Sequence, residues 1–134
     1  MKKVDQTYVE EQSSKISEED HEQAINRKDE LFAKINHPNW KKYREKIMLL
    51  FNMLKDIKQK HYSKTPWKTL ASAIFAILYI INPLDIVPDF IPFIGYLDDI
   101  TVLTFVLKMV GDDLTEYEAW KADQKEENHR EIEI

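Results

Sequence analysis

The sequence predicts an all-α protein: a small helical bundle with a central apolar helical hairpin, whose two helices are joined by a bend rich in Pro and Asp. Apolar residues recur at helical spacing over 40–57, and two further apolar runs occupy 70–81 and 100–110. Prolines at 83, 88 and 92 prevent one continuous helix between those runs. No stretch alternates in polarity as a sheet strand does.

The chain of 134 residues suits one folded domain, which we expect between two disordered tails. Residues 1–16 are mostly polar without an apolar period, and 121–134 are highly charged, so both segments are predicted to be disordered. The predicted single helical domain is 17–120. It begins with Ser17 as the N-cap of a helix over 18–35, because three acids follow that serine directly.

The next predicted helix, over about 39–61, is amphipathic and lies in the basic part of the chain. Residues 41–68 hold only two acids and nine basic residues, which are Lys41, Lys42, Arg44, Lys46, Lys55, Lys58, Lys60, Lys64 and Lys68. Such a helix either packs on a core with its basic side in water or lies on an anionic membrane surface. Both interpretations stay open at this point.

The apolar hairpin is predicted over 66–110. Thr65 is expected to cap its first helix, Pro66 suits the first helical position, and Gly111 is expected to end the second helix. A domain of this size can enclose one such helix but hardly two. The hairpin is therefore expected to insert into a membrane or dock on it, unless the rest of the fold or an oligomer covers it.

Four acids near the predicted bend are the candidate chemical site: Asp85, Asp89, Asp98 and Asp99. They can cap turns and lock the bend, bind a divalent cation through oxygen or share a proton, or form a polar interface with another subunit. The four histidines lie outside this segment and are predicted to be surface residues. There is no cysteine and no nucleotide-binding or zinc-protease motif, so we predict no cofactor and no catalytic residue.

The segment PLDIVPDFIPFIGYLDD at 83–99, preceded by TPW at 65–67 and an apolar helix, resembles the YkvA-like family of small bacterial helical proteins. It also resembles the C-terminal membrane region of certain RING-finger ubiquitin ligases. The resemblance implies membrane association and no established activity. The residues that carry the family pattern are Pro83, Asp85, Pro88, Asp89, Pro92, Gly95, Asp98 and Asp99.

The function predicted from these observations is that of a non-enzymatic, membrane-associated helical protein. Its basic helix would lie on the cytoplasmic face of the cell membrane, and its hairpin would insert or dock. The expected partners are lipid and, in addition, another copy of the chain or a second protein, but not nucleic acid, because the aromatic residues of the basic segment lie on its apolar stripe. The alternatives are a soluble all-α interaction module or oligomer, and a metal-binding protein or enzyme that uses the four acids.

Overall fold

The computed structural model describes the backbone of residues 6–82 and 99–133, and the side chains of residues 7–82 and 100–127. The described residues form six α-helices and no strand, which confirms the predicted all-α class. The helices are α1 (Gln6–Ser13), α2 (Glu18–Asn26), α3 (Lys28–Ile35), α4 (Arg44–Lys58), α5 (Trp67–Ile81) and α6 (Asp99–Glu133), with a short 3-10 turn at Pro38–Trp40 before α4.

Helix α5 is the centre of the bundle. Every residue from Thr69 to Ile81 is buried, and α1, α2, α3, α4 and α6 all pack against this helix. Its sequence explains the position, because an α-helix that is apolar around its whole circumference has no side that is stable in water. The bounds agree with the predicted first helix of the hairpin. Pro66 occupies the N-cap position, however, and no side chain caps α5, so the predicted Thr65 cap is wrong.

Helix α6 packs on α5 through one face only. Val102, Val106, Val110, Leu114 and Tyr117 are spaced three or four residues apart and are buried. Gly111 does not end the helix as predicted, since α6 runs through it to Glu133. A single glycine costs a helix only about 1 kcal/mol, which tertiary packing on both sides readily exceeds.

Three hydrogen bonds fix how α4, α5 and α6 are aligned. Thr69, at the start of α5, donates to Asp113 of α6 at 2.5 Å. Tyr117 and Lys121 of α6 donate to Asp56, near the end of α4. The end of α4, the start of α5 and residues 113–121 of α6 therefore lie together, and we call this the connector end, because residues 59–66 connect α4 to α5 there.

The other end of the bundle holds the start of α4, the last residue of α5 and the start of α6. Asn82 and Asp99 mark where the described chain stops and resumes. The predicted bend lies outside the described residues. The geometry expected of it stays a prediction.

The described part of the first sixteen residues differs from the loose tail that their polarity predicts. Residues 6–13 form α1, and Tyr8 and Val9 on that helix are buried at 6% and 0% exposure. The two apolar side chains are adjacent and not periodic, so no sequence pattern marks α1 as amphipathic. Contacts with α5 and α6 stabilise a helix too short to form alone.

The helix predicted over 18–35 is two helices with a break at Arg27. Its predicted start is confirmed: Ser17 accepts from the Asp20 amide, and Asp20 accepts from the Ser17 amide, so a capping box is present. The histidine one position further on, His21, was predicted to be exposed. It is buried, and its Nε2 lies 2.9 Å from the Leu54 carbonyl oxygen, which joins α2 to α4.

Residues 121–133 also differ from the disorder predicted for 121–134, because α6 continues to Glu133. No proline or glycine follows Gly111, and alanine, lysine, glutamine and glutamate are good helix formers. With 35 residues α6 is about 52 Å long, whereas α5 with 15 residues is about 22 Å long. The last turns of α6 therefore extend past the bundle, and residues 125–127 are exposed.

Candidate functional site

The nine basic residues predicted to contact a membrane do not form one continuous face in the structure. The middle of α4 is largely packed, with Ile47, Leu50, Phe51 and Leu54 buried. The basic residues instead form two groups at the two ends of this helix. Lys41, Lys42, Arg44 and Lys46 lie at its start, and Lys55, Lys58, Lys60, Lys64 and Lys68 lie at its end and beyond. This arrangement does not suit a helix that lies flat on a lipid surface along its whole length.

Arg44 is half-buried, and its guanidinium is used within the fold. Its Nε donates to the Ile35 carbonyl at 2.9 Å, and an Nη donates to the Asn36 carbonyl at 3.3 Å. These carbonyls lie at the end of α3, where the helix leaves acceptors without an internal donor. The guanidinium thus caps α3 and fixes the turn into α4.

The connector end carries most of the second basic group, in a stretch that follows Asp56 and has no acid of its own. Residues 57–68 contain four lysines and no acid. Lys58, Lys60, Lys64 and Lys68 are all exposed. Next to them Trp67 is 44% exposed, and it is the one large apolar side chain classed as exposed among the described residues. Lysine and tryptophan together are typical of a membrane–water interface.

Lys60 adopts a backbone conformation that lysine rarely takes. Its φ is +63°, in the left-handed region that favours glycine. The conformation closes α4 with a Schellman motif, in which the amide of His61 donates to the Asp56 carbonyl at 2.8 Å and the amide of Lys60 to the Ile57 carbonyl at 3.0 Å. Glycine would adopt this left-handed conformation with less strain, so lysine at this position carries a conformational cost.

A polar cluster beneath the connector holds α6 to α4. The Asp56 carboxylate accepts from the Tyr117 hydroxyl at 2.5 Å and from Lys121 Nζ at 3.1 Å, and His61 Nδ1 lies 3.6 Å from it. The ring of Tyr62 packs edge-on against Tyr117 with centroids 5.2 Å apart. We call the contacts of Asp56 with Tyr117 and Lys121 the Asp56 clamp.

The Asp56 clamp keeps fixed protonation states near neutral pH. Burial raises the pKa of Asp56, but the hydrogen bonds from Tyr117 and Lys121 lower it by more, so the pKa lies below its ordinary value. Burial, and then the bond to Asp56, raise the pKa of the Tyr117 hydroxyl far above its ordinary value. An ionised acid beside a protonated phenol is a stable pair and is not poised for proton transfer.

Sequence reasoning did not find this clamp. Asp56 is one of only two acids in the basic stretch 41–68, and neither it nor Tyr117 is among the predicted site residues. A signal was present, because Asp56 shares the core-facing side of the helix with Met53, and both are buried. A carboxylate among core positions predicts a buried partner, although it does not say which one.

Most of the residues of the predicted acidic site lie outside the part of the chain that the structure describes. Pro83, Asp85, Pro88, Asp89, Pro92, Gly95 and Asp98 lie outside the described residues. Asp99 is the first residue of α6, and its side chain is not among those described. In the parts of the chain that are described, no group of three or more His, Asp or Glu is arranged to hold a metal ion. Capping, cation binding and a subunit interface therefore all stay predictions for these acids.

Within the described part of the chain, none of the helices meets the length and apolarity that a membrane crossing requires. This finding does not support the predicted transmembrane helix. The apolar run of α5 is instead enclosed by the other helices.

Comparisons with known proteins identify the family. Residues 69–105, from the start of α5 into α6, match a family described as a protein of unknown function (DUF1232). The "Uncharacterized membrane protein YkvA" of Bacillus subtilis (strain 168) is 38% identical over 89 residues, which cover 66% of this chain and 84% of that protein. No solved structure gives a significant match. The likeness to RING-finger ligases is not tested by these matches and stays a prediction, whereas the predicted family is confirmed: the chain belongs to the YkvA-like family.

Proposed function

We propose that this protein is a non-enzymatic, membrane-associated helical protein that docks on anionic lipid through its connector end. The docking surface consists of Lys58, Lys60, Lys64, Lys68 and Trp67. The observation that carries the proposal is the exposure of four lysines beside an exposed tryptophan, in a segment that has no acid. The chain as a whole has a formal charge of −5, so the segment 57–68 is a local exception in its charge.

Electrostatics and the interface preference of tryptophan act together on this surface. Each lysine close to an anionic bilayer contributes about 1 kcal/mol of attraction. The indole of Trp67 adds a group that favours the headgroup region. Docking is preferred to insertion of the hairpin because every residue of α5 from Thr69 to Ile81 is enclosed by protein. The relative that is named a membrane protein supports the association in general terms.

The strained backbone at Lys60 supports the choice of this end. A left-handed residue other than glycine, asparagine or aspartate is uncommon and costs about 1–2 kcal/mol. Strain of this kind concentrates at functional sites. The retained side chain adds a charge to the proposed surface.

Vesicle flotation with a matched pair of variants tests the proposal. The connector variant carries Lys58→Gln, Lys60→Gln and Lys64→Gln, and the control carries Lys41→Gln, Lys42→Gln and Lys46→Gln at the other end of α4. All six lysines are exposed, and both variants lose the same charge. The vesicles contain phosphatidylcholine with phosphatidylglycerol, or phosphatidylcholine alone.

We expect the wild-type chain to float with the anionic vesicles at about 0.1 M salt and to be released at about 1 M, where the Debye length falls from about 10 Å to about 3 Å. The connector variant should bind roughly a hundredfold more weakly, from about 1 kcal/mol for each lysine. The control should bind nearly as the wild type does. Equal losses in both variants would contradict the choice of surface.

The cytoplasmic orientation is part of the proposal and follows from the positive charge of the surface. The absence of cysteine in the chain makes a direct test simple. A single Ser63→Cys variant, exposed on the connector, should resist an impermeant thiol reagent in intact cells and react after lysis. Labelling in intact cells would place the connector on the outer side.

A soluble all-α interaction module is the second candidate, and the enclosure of α5 favours it. If the wild-type chain stays in the aqueous fraction with both kinds of vesicle, this candidate replaces the first one. A size measurement would then establish whether a second copy of the chain is bound.

A further inference from the structure

A groove beside the proposed docking surface has the features of a binding site for one lipid molecule. It has a volume of about 310 Å³ and lies where α1, α5 and α6 meet. Ser13 and Ser14 of α1, Trp67, Lys68 and Ala71 of α5, and Met109 of α6 line it. We call it the α1–α5 groove. Its volume is at the lower limit of the usual range for small-molecule sites, about 300–1,000 Å³.

The start of α5, at one side of the groove, has hydrogen-bond donors that the helix itself does not use. The first intrahelical bond of α5 runs from the Leu70 amide to the Pro66 carbonyl, so the amides of Trp67, Lys68 and Thr69 have no acceptor within the helix. No side chain caps this helix start. The amides, the helix dipole and the lysine amine all favour an anion.

The end of α1, on the other wall, has its acceptors occupied. The Glu10 carbonyl accepts from the Ser14 amide, and the Glu11 carbonyl accepts from the Ser14 hydroxyl. The carbonyls of Gln12 and Ser13 accept from the next two amides in the chain. Few backbone acceptors therefore remain there to repel an anion. Glu10 also lines the groove, so the groove contains an acid as well as Lys68.

A second, independent feature points to a missing ligand. Ser13 is 4% exposed, and its hydroxyl has no hydrogen-bond partner among the described residues. The two other serines of the groove differ, since Ser14 donates to the Glu11 carbonyl and Ser72 donates to the Lys68 carbonyl. An unpaired buried hydroxyl is costly, and a bound acceptor would remove that cost.

We propose that the α1–α5 groove binds the phosphate-bearing headgroup of an anionic phospholipid, with the start of its acyl chain against Trp67, Ala71 and Met109. The proposal deepens the proposed function and rests on it, because the lipid would come from the bilayer on which the connector end docks. The free amides at the start of α5, the Lys68 amine and the position of the groove beside that surface favour an anionic lipid as the occupant. A second cavity of about 190 Å³ shares Glu10, Lys68, Ser72 and Met109 with the groove.

Calorimetric titration of the full chain with dihexanoyl phosphatidylglycerol, kept below its micelle concentration, tests the proposal. The comparison probes are dihexanoyl phosphatidylcholine and inorganic phosphate. We expect one phosphatidylglycerol per chain and at least tenfold weaker binding of both comparison probes. No binding of phosphatidylglycerol would overturn the proposal. Equal binding of phosphate would identify a free anion as the occupant, and equal binding of phosphatidylcholine would remove the charge selection, so either result also overturns it.

Three variants locate the site. Ser14→Trp places a bulky side chain in the groove at an exposed position and should abolish binding, whereas Ser63→Trp on the connector should not. Ser13→Ala should weaken binding about tenfold, the usual loss for a hydrogen bond to a charged group. If Ser14→Trp binds phosphatidylglycerol as the wild type does, the groove is not the site.

The same variant separates this proposal from the proposed function. Ser14→Trp keeps every connector lysine, so it should still float with anionic vesicles while failing to bind the short-chain lipid. Flotation without short-chain binding in the wild type would overturn the groove alone. Short-chain binding without flotation would overturn the docking surface and leave the groove as a lipid site.

Discussion

The two apolar helices of the predicted hairpin look alike in sequence but occupy different environments. From Thr69 onward α5 is buried on all sides, whereas residues 100–110 of α6 bury one face and leave Thr104 and Lys108 exposed. The polar residues of this part of α6, which are Thr101, Thr104 and Lys108, are spaced three and four apart and share one side. In α5 the polar residues occur only in the first two turns. The spacing of a few polar residues, and not the count of apolar ones, separates a central helix from a peripheral one.

The two helices are also held in different ways. Contacts with five other helices hold α5, and nearly all of them are apolar. One apolar face and the Asp56 clamp hold α6. If this contrast is correct, substitutions in α5 should act through lost burial, and substitutions in α6 should act through polar contacts and helix propensity.

The largest effect is expected from Phe75→Ala in α5. Phe75 is fully buried, so the change should lower the free energy of unfolding by about 3–5 kcal/mol. The matched change Phe105→Ala in α6 should cost about 1 kcal/mol, because that ring is only partly buried. Urea unfolding measures both. Equal costs would show that the two helices are enclosed to the same degree.

The Asp56 clamp should have the next largest effect. Tyr117→Phe removes one hydrogen bond to a buried carboxylate and should cost about 1.5–3 kcal/mol. Tyr43→Phe is the control at a half-buried tyrosine, where about 0.5 kcal/mol or less is expected. If both variants unfold at the same urea concentration, the clamp does not hold α6 in place.

The pH dependence of stability tests the clamp without changing its shape. The pKa of Asp56 is lower in the folded chain than its unfolded value of about 3.9. Its contribution is therefore complete above that value and is lost as the pH falls through the folded pKa. The difference in unfolding free energy between the wild type and Asp56→Asn should shrink below about pH 4. A difference that stays constant down to pH 2 would mean that the carboxylate charge contributes nothing.

The smallest effect is expected at Gly111. A Cβ at this position would meet no atom within 4 Å, so Gly111→Ala should stabilise the chain by about 0.5–1 kcal/mol. Ala119→Gly, at an exposed position of the same helix, should destabilise by a similar amount. Thermal unfolding of the two variants measures the pair. Loss of stability in Gly111→Ala would indicate that the helix is interrupted there, as the sequence had suggested.

Local signals in the sequence predicted much of the fold. The apolar run predicted α5, and Ser17 with its following acids predicted the start of α2, because each signal depends on neighbours within one or two helical turns. Helix α1 and the continuation of α6 through Gly111 escaped prediction, because tertiary packing decides both. The sequence around a single glycine, or within a polar segment, does not indicate which helices pack against it.

The candidate site divides in the same way. The positive charge of residues 41–68 could be predicted from composition. The separation of these basic residues into two groups could not, because it depends on which parts of α4 are packed. The partners Asp56 and Tyr117 are 61 residues apart, and His21 meets a carbonyl 33 residues away. Pairings at such separations follow from how the helices are arranged, which a single sequence does not encode in any local pattern.

Because α6 is longer than α5, two parts of α6 should differ in local stability. Amides of α6 that lie alongside α5 should exchange with deuterium only when the whole domain unfolds. Residues 125–127 are exposed, so the amides of this last part of α6 should exchange by fraying, at a rate that urea hardly alters. A partner that binds the last part of α6 would slow amide exchange there first. Its binding would therefore be detected before exchange in the rest of the bundle changes.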